Sequence, residues 1–237
     1  MIDSGLMLKK TARLAGWLYF LFAVMAFYTY KYVLPKIYAP GDMELTAKKM
    51  LANEFLFRIS VVTDIITSVL FIIVVLLLYQ LFKHTDNVLA KPMVGFVIAA
   101  IPIFFISDAL EFTVLNIFKG NLLGALPGEY SKEIAASFIK IKNYSGQLIT
   151  FYWGLWLIPL GWLAYKSGFI PKIFGILLWI NGLGYMIGSI TFVLFPDALG
   201  MVNKLLYPTY FVGEVPFIFW LMIKGVKEKN DQVKSVM

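Results

Sequence analysis

The chain has 237 residues, of which 60% are hydrophobic and only 15% charged, with a formal net charge of +7 and a mean hydropathy of +0.78. Soluble domains are about 45–50% apolar and about 25% charged, so one water-soluble core of this size is excluded, as are disorder and collagen-like repeats. With no cysteine and one histidine, His84, disulfides, iron–sulfur clusters, zinc sites of cysteine or multiple histidines, and bis-histidine haem are excluded too. What remains is an all-α, polytopic membrane helix bundle. The basic residues lie beside and between apolar runs and form no single basic face, which points to helix ends flanking a bilayer and away from nucleic acid.

A membrane-crossing helix needs about 20 mostly apolar residues. Six stretches qualify: Leu14–Leu34, Arg58–Phe82, Met93–Phe118, Gln147–Tyr165, Pro171–Phe195 and Pro208–Ile223. The first follows Lys9, Lys10 and Arg13, as a signal peptide does. Its apolar run is too long for one and ends in Tyr28, Tyr30 and Tyr32, an interfacial pattern, so it reads as a retained helix. Asp42–Phe57 carries Met43, Ala47, Met50, Leu51 and Phe55 at helical spacing and either lies on the membrane surface or extends span two. His84 sits in a polar turn with Lys83 and Asp86, a solvated position. Pro102 and Pro159 fall inside spans three and four and are expected to kink them. Lys119–Lys142 reads as a connection with Gly120, Gly124, Pro127 and Gly128, turning helix-like from Ser131.

Span four is aromatic, with Tyr152, Trp153, Trp156 and Trp162. Trp153 and Trp156 share a face that either lines a cavity or, as the expected packing, meets lipid. In Lys166-Ser-Gly-Phe-Ile-Pro171, Gly168 suits the left-handed end of span four and Pro171 the first turn of span five, which predicts a tight helical hairpin. Gly184 and Gly188 make a small-residue pair in span five for close packing within the chain or in a homo-oligomer, and Asn181 is placed to bond a neighbouring helix. No second soluble domain and no internal repeat is visible, so residues 1–237 read as one transmembrane domain. Six spans put both termini on one side. The segments on that side hold 11 basic residues against 10 in the longer opposite loops, a density that favours cytoplasmic termini in the cell membrane.

Charges inside spans cost about 2.5–3.5 kcal/mol each near the helix centre on insertion scales and mark candidate sites. Asp64 lies in span two, Asp108 and Glu111 in span three, and Glu214 in span six; Glu54 and Arg58, four residues apart, can pair at the start of span two. Asp64 and Glu214 lie about six residues inside their spans, roughly 9 Å at 1.5 Å per residue. Counted back from the same edge, Glu111 and Asp108 lie roughly 10–15 Å deep. Four carboxylates on three helices therefore share the leaflet half opposite the termini, with Asn143 and Gln147 near that edge. The expected function is to bind a small molecule, cation or lipid head group there. The alternatives are a membrane-embedded enzyme, with a carboxylate as general base and Arg58 as anion clamp, and a structural or partner subunit whose charges only lock helices. No GxSxG, HExxH, DDxxD or P-loop pattern is present, and the sequence implies no cofactor. Oxygen ligands alone would suit magnesium, calcium or manganese, but no metal site is assigned.

Several segments in combination carry a family resemblance: Lys10-Thr-Ala-Arg-Leu-Ala-Gly16, Ala52-Asn-Glu-Phe-Leu-Phe-Arg58 followed by Asp64, Gly161–Pro171, Gly182-Leu-Gly-Tyr185 and Glu214–Lys227. Together they resemble a bacterial membrane family, domain of unknown function 4386, over nearly the whole chain. The resemblance implies about six spans and brings no activity, cofactor or substrate. Its motif positions match Asn53, Glu54, Arg58, Asp64 and Glu214, whereas Asp108 and Glu111 stand outside them.

Overall fold

In this computed structural model, residues 2–124, 126 and 128–226 are described, with side chains from residue 5 onward. Pro127 of the predicted connection and Lys227, Lys229 and Lys234 of the basic tail lie outside them. The described residues hold no strand. Five of their helical stretches are long and apolar enough to cross a membrane, or six when one bent pair counts as a single span.

The first span runs from Gly5 to Ile37. It joins helix α1 (Ile2–Tyr28), a π-helical turn (Thr29–Val33) and α2 (Leu34–Ile37). Helix α3 (Met43–Ala52) starts at Asp42, whose Oδ1 accepts the Leu45 N–H at 2.8 Å. It stops at Asn53, whose side-chain amide donates to the Lys49 and Lys36 carbonyls at 2.9 and 3.2 Å. Asp42–Phe57 is thus a separate short helix followed by the first turn of α4 (Glu54–Phe82). Helix α5 (Asn87–Phe118) continues through Pro102.

Helix α6 (Gly128–Lys166) begins well before the predicted span. Most of the expected connection is helical, because its lysines lower local hydropathy without breaking the helix. At 39 residues and 1.5 Å per residue, α6 exceeds the roughly 30 Å hydrocarbon thickness, leaving room for Lys132, Lys140 and Lys142 in its first half. Helix α7 (Lys172–Leu194) leads into a 3-10 turn (Pro196–Ala198), α8 (Leu199–Leu206), α9 (Thr209–Val212) and α10 (Glu214–Ile223). The sixth predicted span is therefore not one straight helix. Pro196–Leu206 and Thr209–Ile223 meet at 45°, and a further break falls at Gly213, where a Cβ would come within 2.6 Å of the Leu177 carbonyl.

The chain packs as two compact units, Met1–Leu21 with Leu70–Ala100 and Gln147–Met237, and Phe22–Val69 with Ile101–Gly146. In the first, Gly168 takes φ +72° and ends α6, with Pro171 capping α7, as the sequence predicts. Two glycine pairs then let α6 and α7 touch backbone to backbone. A Cβ at Gly154 would lie 2.5 Å from the Gly182 carbonyl oxygen, and one at Gly175 2.6 Å from that of Gly161. Gly184 and Gly188 face Thr209 and Tyr210, so this small-residue pair serves packing within the chain. Arg13 donates to the Ile223 carbonyl at 3.0 Å, capping α10. Trp156 is wholly buried, its ring 5.2 Å from Phe71 and 6.0 Å from Tyr19, which corrects the expectation that it meets lipid. Of the α6 tryptophans, Trp162 is the exposed one, at 43%. The second unit packs Met50, Phe57, Leu115 and Ala135 at its core.

The turn holding exposed His84 ends at Asp86. Its Oδ1 accepts the Leu89 and Val88 N–H groups at 3.1 Å, and its other oxygen meets Lys166 at 3.2 Å. The Leu89 N–H first, and Lys166 with it, hold this carboxyl below the usual range. A depressed folded pKa gives stability that is present above the unfolded value, near 3.9, and is lost as pH falls through the folded one. Asp86→Ala is therefore expected to lower the thermal midpoint at pH 7, and the gap from the wild type should close toward pH 2–3 in a pH series of melts.

Candidate functional site

The second unit holds five of the six charges singled out in the sequence, in two groups. Glu54 starts α4 and is fully engaged. Arg58 donates to it through Nε and Nη2 at 2.9 and 2.7 Å, and Lys119, at the end of α5, reaches both its oxygens at 2.8 and 3.0 Å. The Arg58 guanidinium also lies 5.1 Å from the Phe112 ring centre. Two cations on one carboxylate form a lock between α4 and α5.

Asp64, Asp108 and Glu111 form the other group. Asp64 lies nearly three turns beyond Glu54 along α4. Asp108 and Glu111 are three residues apart on α5, and each of the three lies within electrostatic reach of the others. One base serves all three: Lys142 of α6, which donates to Glu111. Ionised together, they leave two uncompensated negative charges. The Thr29 side chain, in the π-helical turn, faces Asp64. Isolated π-helical turns recur at functional positions. Glu111, Lys142 and Asn143 also line a cavity of about 50 Å³ whose other walls include Leu34, Tyr38 and Met50. Among the described residues, no three Asp, Glu or His side chains converge as a metal would require.

Glu214 belongs to the first unit. It opens α10 directly after the Gly213 break, and its carboxylate accepts a hydrogen bond from the Tyr19 hydroxyl. The Tyr185 hydroxyl faces the same carboxylate and lies 3.4 Å from the Tyr210 carbonyl. The Glu214 N–H donates to Asn181 Oδ1 at 3.1 Å, so Asn181 makes the interhelical bond expected of it. Among the described residues no lysine or arginine pairs with Glu214.

The sequence did not single out Lys119, Thr29 or Tyr19, and it marked Tyr185 only as the end of a family-resemblance segment. Lys119 and Lys142 were assigned to a connection, and nothing in the local pattern marks Tyr19, which meets Glu214 from 195 residues away.

Apolar helices of membrane-crossing length, with charged groups bonded to one another along them, define a multi-pass membrane helix bundle. The chain belongs to the family described as Domain of unknown function (DUF4386), which it matches over residues 14–225. It is similar to an uncharacterized protein of Archaeoglobus fulgidus, 42% identical over 77 residues, which cover 32% of this chain and 43% of that protein. The match thus spans less than half of the relative's length. No solved structure matches.

Proposed function

We propose that this protein of the cell membrane, with cytoplasmic termini, binds a cationic small molecule or a cationic lipid head group through Asp64, Asp108 and Glu111. One observation carries the reading: three carboxylates on membrane-crossing helices share a single lysine. Charge left unbalanced there is costly, and a bound cation supplies what Lys142 alone does not. Glu54 and Arg58 act beside this site as a structural lock.

The test is thermal unfolding in detergent with choline chloride added, against sodium chloride at the same ionic strength. Choline is expected to raise the midpoint, by the equivalent of about 2.7 kcal/mol at a hundredfold excess over its Kd. Asp64→Asn and Asp108→Asn should abolish that rise. No rise with choline, or an undiminished rise in both variants, overturns the reading.

A further inference from the structure

We propose that Glu214, Asn181, Tyr19 and Tyr185 form a second site, for a small protonated amine that also carries an oxygen acceptor. An amino alcohol is the simplest example. This site shares no residue with the cluster around Asp108.

Charge comes first. Glu214 starts a half-helix inside a span bent by 45°, and no basic side chain pairs with it among the described residues. The nearest basic residue along α1, Arg13, is committed to the Ile223 carbonyl. A carboxylate offers about four acceptor positions, and Tyr19 and Tyr185 take at most two of them. Broken helices in membranes are tolerated where they line a polar site, and such breaks commonly sit at binding positions.

Buried donors come second. Asn181 is 0% exposed; its Oδ1 is held by the Glu214 N–H, while its Nδ2 closes no hydrogen bond. That amide group therefore sits beside the start of α10 and faces the Tyr185 hydroxyl, which can engage at most one of its two N–H groups. Trp156, also 0% exposed and packed 6.0 Å from the Tyr19 ring, has an unpartnered indole N–H as well. Buried donors without acceptors are rare and call for an oxygen.

The two demands differ in sign. A bare metal ion would answer the carboxylate and leave the Asn181 N–H groups unmet, and an anion would do the reverse. A molecule with an ammonium at one end and a hydroxyl or carbonyl oxygen at the other answers both.

The ligand can arrive free or as a lipid head group of the same chemistry. Two arms separate these sources, both read by tryptophan fluorescence: ethanolamine added to the protein in detergent, and nanodiscs of phosphatidylcholine with or without phosphatidylethanolamine. A saturable change is expected in at least one arm; the first alone assigns a free amine, the second alone a head group. In the responding arm the Glu214→Gln protein, checked for helix content by circular dichroism, should lose the response. Asn181→Ala should weaken ethanolamine about tenfold, to the level of ethylamine, which lacks the oxygen. No response in either arm overturns the proposal. So does a response that survives Glu214→Gln, or ethylamine acting as strongly as ethanolamine on the wild type. Should Glu214→Gln fail to fold, the ethylamine comparison and Asn181→Ala decide alone.

Discussion

Lys142→Gln is expected to destabilise the protein by about 2–3 kcal/mol, below the 3–5 kcal/mol typical of breaking a fully buried pair because both partners keep some access to solvent. The side chains of Lys142 and Glu111 are 27% and 15% exposed. The loss arises because Glu111 is left without its partner while Asp64 and Asp108 lie within reach of the same charge. Adding Glu111→Gln to Lys142→Gln should recover most of the loss, giving a coupling energy above about 1 kcal/mol in a double-mutant cycle read by detergent-denaturant unfolding. Simple additivity of the two variants would mean that the pair is an exposed contact of little consequence.

Gly154→Val is expected to cost about 3 kcal/mol, the upper end of the usual overpacking range, because the clash is with backbone and cannot be relieved by a rotamer change. A Cβ there would meet the Gly182 carbonyl oxygen at 2.5 Å and the Met186 amide nitrogen at 3.1 Å. Gly146→Ala, on the same helix, provides the contrast. Nothing lies within 4 Å of its added carbon, so helix propensity alone should act, stabilising by up to about 1 kcal/mol. If both substitutions had equal effects in the same unfolding assay, α6 and α7 would not meet through these glycines.

Properties that depend on a few adjacent residues were legible in the sequence. Hydropathy over about 20 residues located the spans, and the Gly168 and Pro171 pair located the hairpin, since left-handed backbone and proline geometry are local. Asn181 was readable as a polar group inside an apolar helix with only another helix to bond. Azimuth was not legible. The depth of Glu214 follows from helix rise, yet its partners Tyr19 and Tyr185 depend on how α1, α7 and α10 rotate against one another. Trp156 was misplaced for the same reason, because the apolar second half of α6 has no polar face to show which side looks inward. Lys142 was hidden by its surroundings. Lysines in the first half of α6 resemble a connection on a hydropathy scale, although nothing there interrupts the helix. The break before Glu214 needed Gly213 to be seen against Leu177, a contact across helices that carries no sequence signal.

The cation site around Asp108 is tested most directly by native mass spectrometry of the protein purified in mild detergent, wild type beside Asp108→Asn. The wild type should carry an adduct of defined mass that is absent from Asp108→Asn, with helix content by circular dichroism unchanged between the two. Bare spectra from both proteins, with only a lower melting temperature in the variant, would contradict the site and leave the carboxylates as helix locks. The same adduct on both proteins would contradict it equally.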